Sequence, residues 1–299
     1  MEQINNNDKT KSIAILMATY NGEKYLREQI DSIVSQSSRQ WHLYIHDDGS
    51  KDGTVELLND YANKYPEQIT VMDYPSQGGA LQNFMSLLER VEADYYMFSD
   101  QDDVWHQDKI KKEIERMNNE ESAHANKVPI IVYSDLIVVD SKLNKIADSF
   151  LAYSGIHPEF LTTFNELAAS NLTTGCTMLF NHAVKEVVRH PFTAATMHDA
   201  WITLCTVKAN GILAYISEPL IDYRQHGGNT LGAVSIKTLT LSYRFQHLKN
   251  VLKLNQKTYH MMQALGYGSW LKYIYYKIKY KYKIHKKLVG NDFCLHSDL

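Results

Sequence analysis

The sequence predicts an α/β protein with a mostly parallel sheet, and three observations carry that reading. Short apolar runs of strand length recur through the first hundred residues. Amphipathic stretches at helical spacing separate them. Polar clusters rich in Asp, Asn and Gly stand where the strands end.

The elements follow in order. "SIAILMA" (12–18) reads as the first strand and runs into the turn-forming "TYNG". Leu26, Ile30, Ile33 and Val34 then recur at the spacing of one helix face. "WHLYIH" (41–46) reads as a second strand ending in "DDGS", followed by a helix with Val55, Leu58 and Tyr61 on one side. "ITVMDY" (69–74) is a third strand, and after "SQGG" comes a helix carrying Leu81, Phe84, Met85 and Leu88. "YYMF" (95–98) is the fourth strand, and it breaks abruptly into "SDQDD". Strands alternating with helices imply parallel pairing through right-handed crossovers. Ligands of such sheets bind at the carboxyl ends of the strands, so "TYNG", "DDGS" and "SDQDD" should converge on one crevice. Further strands are expected at 129–135, 173–180, 211–217 and 219–224, and a helix near "MHDAW" (197–201).

At 299 residues, 44% hydrophobic and 22% charged, the chain can bury a sizeable core as one large domain with an appendage or as two modest domains. Cys176, Cys205 and Cys294 are odd in number and far apart, which argues for a reducing compartment and against a disulfide frame or zinc cluster. The polar start "MEQINNNDKTK" lacks the apolar core of a secretion signal, and no run has the length of a membrane span, so a cytoplasmic protein is expected. The net charge of −3 hides an asymmetry: between Asp222 and Asp292 there is no acidic residue, against 13 Lys and Arg and nine Tyr. A segment so basic suits an anionic partner, either nucleic acid or a phospholipid face. No nucleic-acid-binding module accompanies the charge, which favours lipid.

Asp100, Asp102 and Asp103 lie within four positions after an apolar strand. Carboxylates so close repel one another unless solvent or a cation intervenes. A hard divalent ion such as Mg²⁺ or Mn²⁺ takes oxygen ligands and often needs only one or two carboxylates plus substrate phosphates. A solvated acidic loop is the plain alternative. Asp47 and Asp48 either cap a turn or accept hydrogen bonds from a nucleobase or ribose. Gly175 is a loop glycine or a point of close substrate approach. Asp199 caps the helix carrying Trp201, or takes a proton from a hydroxyl. His226 is structural, or a third metal ligand.

Together "AILMATYNGEKYLREQIDSIVSQS", "LYIHDDGSKDGT", "SQGGALQNF" and "YYMFSDQDDVWHQDKI" resemble the inverting GT-A glycosyltransferases of family 2, and among them bacterial rhamnosyltransferases that build cell-wall or capsular polysaccharide. "HDAW" and "YRQHGGNTLG" fit the second half of that pattern. The resemblance implies a GT-A, Rossmann-like domain over 12–232, preceded by a flexible 1–11 and followed by a basic extension over 233–299. It implies that Thr19, Tyr20 and Asp48 recognise the nucleoside, that Asp100 lies by the ribose and metal, and that Asp102 binds the cation bridging the diphosphate. Asp103 falls nearer the sugar or acceptor, Gly175 and Trp201 in the acceptor region, Asp199 at the catalytic base, and His226 near the metal or diphosphate. The residue before the base is His198 where the family often has Glu. The implied donor is dTDP-rhamnose, with a UDP-sugar as the alternative. The implied acceptor is a polysaccharide or lipid-linked saccharide, and the cofactor Mn²⁺ or Mg²⁺.

The tail segment "SWLKYIYYKIKYKYKIHKKL" (269–288) alternates Lys with Ile or Tyr from 277 to 284, a period of two that argues against a clean amphipathic helix. It either packs its tyrosines on the catalytic domain or meets an anionic membrane face, placing the enzyme peripherally at the inner side of the cell membrane. Two rivals stand beside the transferase reading. "DQDDV" also fits a phosphatase motif with Asp100 as nucleophile, and a non-catalytic carbohydrate-binding relative would keep the fold without turnover.

Overall fold

A computed structural model of the chain describes residues 11–124, 127–227, 233, 235 and 248–294. The expected flexible start over 1–11 falls outside the described residues apart from Lys11, as do residues 228–232 of "YRQHGGNTLG".

The first half is built as the sequence predicts. Strand β1 (Ile13–Thr19) leads through α1 (Glu23–Val34) to β2 (His42–Asp47), α2 (Thr54–Lys64), β3 (Ile69–Val71), α3 (Ala80–Arg90) and β4 (Tyr95–Ser99). β1 pairs in parallel with both β2 and β4, and β2 with β3. An apolar run such as "IAILMAT" belongs in this setting because a central parallel strand is covered on both faces. Its side chains alternate accordingly. Ala14 and Leu16 join the core beneath α3, whereas Ile13, Ile15 and Met17 join the core beneath α1 and α2. Tyr96 and Phe98 of β4 divide from Tyr95 and Met97 in the same way.

The second half departs from uniform parallel pairing. It comprises β5 (Val104–Trp105), α4 (Lys109–Ala123), β6 (Ile130–Val139), β7 (Lys145–Ala147), α5 (Phe150–Ser154), β8 (Met178–Asn181), α6 (His182–Val187), α7 (His198–Lys208) and β9 (Ile212–Arg224). β8 inserts antiparallel between β4 and β6, while β6 and β9 run parallel. The sheet order among the described residues is β3-β2-β1-β4-β8-β6-β9-β5, with β7 on β6. Two of the expected strands, at 211–217 and 219–224, are one strand, β9, whose pairing to β6 shifts register around Asp135.

Residues 248–294 form α8 (Leu248–Ala264) and α9 (Trp270–Cys294). The period-two reading of the tail is therefore corrected: the segment is helical. No Gly or Pro interrupts residues 269–288, and a helical stripe of aromatic residues underlies the alternating lysines. Tyr273 is fully buried, and Tyr276 and Tyr280, three and seven positions on, pack partly buried against the same core as α3 and α7. The Tyr280 hydroxyl accepts a 2.9 Å hydrogen bond from the His157 amide. Met261, Met262, Leu265 and Tyr267 complete this contact. Burying a Met or Leu side chain contributes about 1.5–3 kcal/mol, so these helices are a structural part of the fold.

Met262 is fully buried. Met262→Ala should therefore lower unfolding free energy by about 2–5 kcal/mol, read from denaturant titration. A change no larger than that of an exposed α8 substitution such as Leu252→Ala would show that α8 does not share the core.

Candidate active site

The carboxyl ends of β1, β2 and β4 open onto one cavity of about 780 Å³, lined among others by Thr19, Tyr20, Asp48, Asp100, Asp102 and Asp199. Each side chain is placed by its own local interactions. At the end of β1, the Thr19 hydroxyl donates to Asp47 Oδ1 at 2.9 Å, and Asp47 also caps the "DDGS" turn by accepting from the Gly49 and Ser50 amides. Tyr20 is 54% exposed at the cavity edge. Gln101 clasps its backbone, accepting from the Tyr20 amide at 2.9 Å and donating to its carbonyl at 3.1 Å.

Asp48 braces the opposite wall. Its carboxylate accepts from the Ser76 hydroxyl and from the amides of Gln77, Gly78 and Gly79. Burial pushes its pKa up, but these hydrogen bonds outweigh burial and hold it below the usual carboxylate range. Gly79 has φ +131°, a backbone conformation that side chains disfavour, and this lets consecutive amides point at one carboxylate.

The acidic side of the cavity follows β4. Asp100 is pushed up to about 7, first by burial and then by the charges of Asp102 and Asp199. Asp102 lies 2.7 Å from His226 Nε2, whose ring packs 4.6 Å from that of Tyr25. Asp199 lies in the first turn of α7, where its Oδ2 accepts from Asn171 at 3.2 Å and its Oδ1 from the Ala200 amide at 2.6 Å. Burial raises it to about 6, opposed by those hydrogen bonds. Gly175 passes so close to His198 that a Cβ there would meet Nε2 at 2.5 Å.

Residues 14–186 match the Glycosyl transferase family 2 profile. The chain is 30% identical to the Shigella flexneri dTDP-rhamnosyl transferase RfbG, across 73% of this chain and 74% of that protein. It is 28% identical to the putative teichuronic acid biosynthesis glycosyltransferase TuaG of Bacillus subtilis, across 71% and 78%. The chain belongs to glycosyl transferase family 2. It is a nucleotide-sugar-dependent glycosyltransferase of GT-A fold. The fold is also similar to that of S. aureus TarS 1–349 solved with UDP-GlcNAc, at TM-score 0.55 and 17% identity, spanning 73% of this chain and 60% of that one. Family membership sets aside the phosphatase alternative, and Asp100 follows the fourth strand of the sheet, far from the first strand where that motif usually sits.

Two expected site residues of this glycosyltransferase lie elsewhere. Asp103 is fully buried and does not line the cavity; its Oδ1 accepts the Arg224 amide at 3.0 Å, tying the "SDQDD" turn to β9. Trp201 is 2% exposed and faces the core, donating its indole N–H to the Arg189 carbonyl at 3.1 Å. It anchors α7 and does not line the cavity. Conversely, sequence reasoning missed Arg224. Buried, it donates to the Asp102 and Ser141 carbonyls and pairs with Glu28, so it fixes the backbone that carries Asp102. Asn171, which holds Asp199, was also missed. A polar residue in "SNLTTG" was the only signal for it.

The donor set fits a hard divalent ion. Ligand atoms of Asp100, Asp103 and Cys176 lie within 4.8 Å of one another, and the buried Asp103 Oδ2 has no hydrogen-bond partner among the described residues. Burial and the neighbouring carboxylates keep the Cys176 thiol well above its ordinary pKa, and a hard ion prefers oxygen to sulfur ligands. Oxygen donors remain: Asp100 and Asp102 face the cavity, with His226 beside Asp102.

The burial of Asp199 has a cost that can be measured. Its folded pKa lies above its unfolded value, so its ionisation weakens the fold as pH rises from about 4 through about 6, and the cost is fully present above that. Asp199→Asn should stabilise the protein by about 1–3 kcal/mol at pH 8 and by much less at pH 4.5, seen as a pH-dependent difference in denaturation midpoint. A variant less stable than the parent at both pH values would contradict this.

Proposed function

We propose that this glycosyltransferase moves L-rhamnose from dTDP-rhamnose, with inversion at the anomeric carbon, onto a hydroxyl of a growing, lipid-linked cell-wall or capsular polysaccharide. A single observation carries the reading. One cavity is lined together by Thr19, Tyr20 and Asp48, by the acidic pair Asp100 and Asp102, and by Asp199 at the start of α7. The choice of rhamnose and dTDP rests on the likeness to RfbG, and a polysaccharide product on the likeness to the putative teichuronic acid biosynthesis glycosyltransferase TuaG.

The residues take distinct parts. Thr19, Tyr20 and Asp48 shape the nucleoside end, and Gly175 leaves room for His198 to pack against the backbone at the cavity wall. Asp100, Asp102 and His226 would hold Mn²⁺ or Mg²⁺, which offsets charge developing on the departing diphosphate. Asp199 takes the proton of the acceptor hydroxyl as its oxygen bonds the anomeric carbon from the face opposite the leaving group. At about pH 6 this carboxyl is half ionised, so it is a competent base at neutral pH. Asn171 keeps it aimed. His198, buried and held neutral with its pKa lowered to about 3 by burial, adds no charge beside the base. Residues 12–232 make the catalytic unit, and the basic 233–299 extension completes it.

Asp102→Ala and Asp199→Asn should each cut release of dTDP from dTDP-rhamnose by at least about 100-fold, the scale of a lost general base. Only Asp102→Ala should also abolish Mn²⁺-dependent donor binding, followed by thermal shift. Turnover of the parent should rise with pH through about 6. Full turnover by Asp199→Asn, or donor binding indifferent to divalent ions, would refute the assignment.

The outer face of α9 supports peripheral attachment to an anionic membrane. Leu271, Tyr275, Ile278 and Tyr282 form an exposed stripe spaced four, three and four apart, accompanied by the exposed Lys281 and Lys286. An apolar stripe with basic flanks suits the boundary between headgroups and acyl chains. No helix among the described residues is long and apolar enough to cross a membrane. The protein should sediment with phosphatidylserine-containing vesicles more than with phosphatidylcholine vesicles, and Ile278→Glu with Tyr282→Ser should remove the difference. Equal sedimentation of parent and variant would argue against it.

A further inference from the structure

A second cavity of about 300 Å³ opens beside the first. Asp199, Asn171, Ser170 and Met197 line both, so the second space reaches the base from the side of the C-terminal helices. Its walls are apolar at Leu167, Leu204, Leu254 and Met261, and polar at Asn255 and Thr258. One cation lines it, Lys277 of α9.

Lys277 differs from its neighbours on that helix. Lys279 and Lys283 pair with Glu166, and Lys287 pairs with Glu159. Lys277 has no carboxylate within ion-pair distance among the described residues. Its ammonium donates to the Ala169 carbonyl at 3.3 Å and lies 5.1 Å from the centre of the Tyr273 ring. An ammonium has three donors, and burying one without an anion is unfavourable. Burial, followed by the like charge of Lys281, lowers it to about 8, which still leaves it mostly charged at neutral pH.

We infer that this second cavity is the acceptor subsite and that it selects a saccharide bearing an anionic group, a phosphate or a carboxylate, seated on Lys277 while a sugar hydroxyl reaches Asp199. The inference rests on the glycosyl-transfer reading of the first cavity and adds the chemical class of the acceptor. It also explains why α8 and α9 belong to the catalytic fold: Leu254, Asn255, Thr258 and Met261 of α8 and Lys277 of α9 supply one wall of the subsite. Lys277 would position the acceptor and take no part in proton transfer.

The test uses the full chain with Mn²⁺ and saturating nucleoside diphosphate (dTDP, or UDP if that binds instead), so that the first cavity is filled. Three probes are titrated by ligand-observed NMR: glucose 1-phosphate, glucuronate and methyl glucoside. At least one anionic probe should bind about tenfold tighter than methyl glucoside, an energy difference of about 1.4 kcal/mol, and which of the two does so identifies the anion. Lys277→Met, which keeps the length of the side chain, should erase the preference, and Lys277→Arg should keep it. Leu254→Trp, placed at the exposed rim, should weaken all three probes. Nucleoside diphosphate affinity should stay unchanged in every variant. Equal binding of the three probes to the parent, no binding of either anion at millimolar concentration, or a preference that survives Lys277→Met would overturn the inference. Loss of nucleoside diphosphate binding by the parent would instead overturn the reading of the first cavity.

Discussion

The constraint on which the molecule depends is the crowding of carboxyl groups at the end of β4. Asp100, Asp102 and Asp103 share a short turn, and Asp199 approaches closely enough that its charge raises Asp100. Burying these groups is unfavourable because each charged form loses water and faces its neighbours. A fold that served stability alone would not gather them. Here the parallel register of β1, β2 and β4 places their carboxyl ends side by side, and the turns that follow have one space to share. The proposed cation and diphosphate would occupy the space that this crowding lines.

Rigid supports offset the strain of that arrangement. Arg224 reaches from β9 to the Asp102 carbonyl while its own amide donates to Asp103, so the acidic turn is pinned from the far side of the sheet. Asp48 gathers a hydroxyl and three amides of the "SQGG" loop, and Asp47 gathers the turn beside it. Lys109 and Glu113, both fully buried, pair at 2.7 Å beneath Trp105. These contacts brace the turns that carry the cavity's acidic residues and the fold beneath them.

How much of this was legible in the sequence depended on the range of the signal. β1 to β4 and their helices were readable because each is a local period in apolar residues, and the cavity followed from the rule that parallel strands bind ligands at their carboxyl ends. The insertion of β8 between β4 and β6 was not readable, since pairing between distant strands leaves no local mark. Burial was the second hidden quantity. Asp103 and Trp201 lie within two positions of residues that line the cavity, yet neither lines it and both are buried. Arg224 and Asn171 escaped notice because their partners lie 122 and 28 positions distant. In the tail, alternating lysines masked a helical stripe of tyrosines whose significance appears only against the core that receives it.

On the proposed reading, one cation-clamped diphosphate would be held between the turn after β4 and the loops after β1 and β2. Manganese anomalous scattering from crystals grown with Mn²⁺ and the nucleoside diphosphate tests it most directly. A single strong peak is expected between the diphosphate and the carboxylates of Asp100 and Asp102, with the nucleoside against Thr19 and Asp48. A peak away from those carboxylates, or a nucleotide seated outside that cavity, would contradict it.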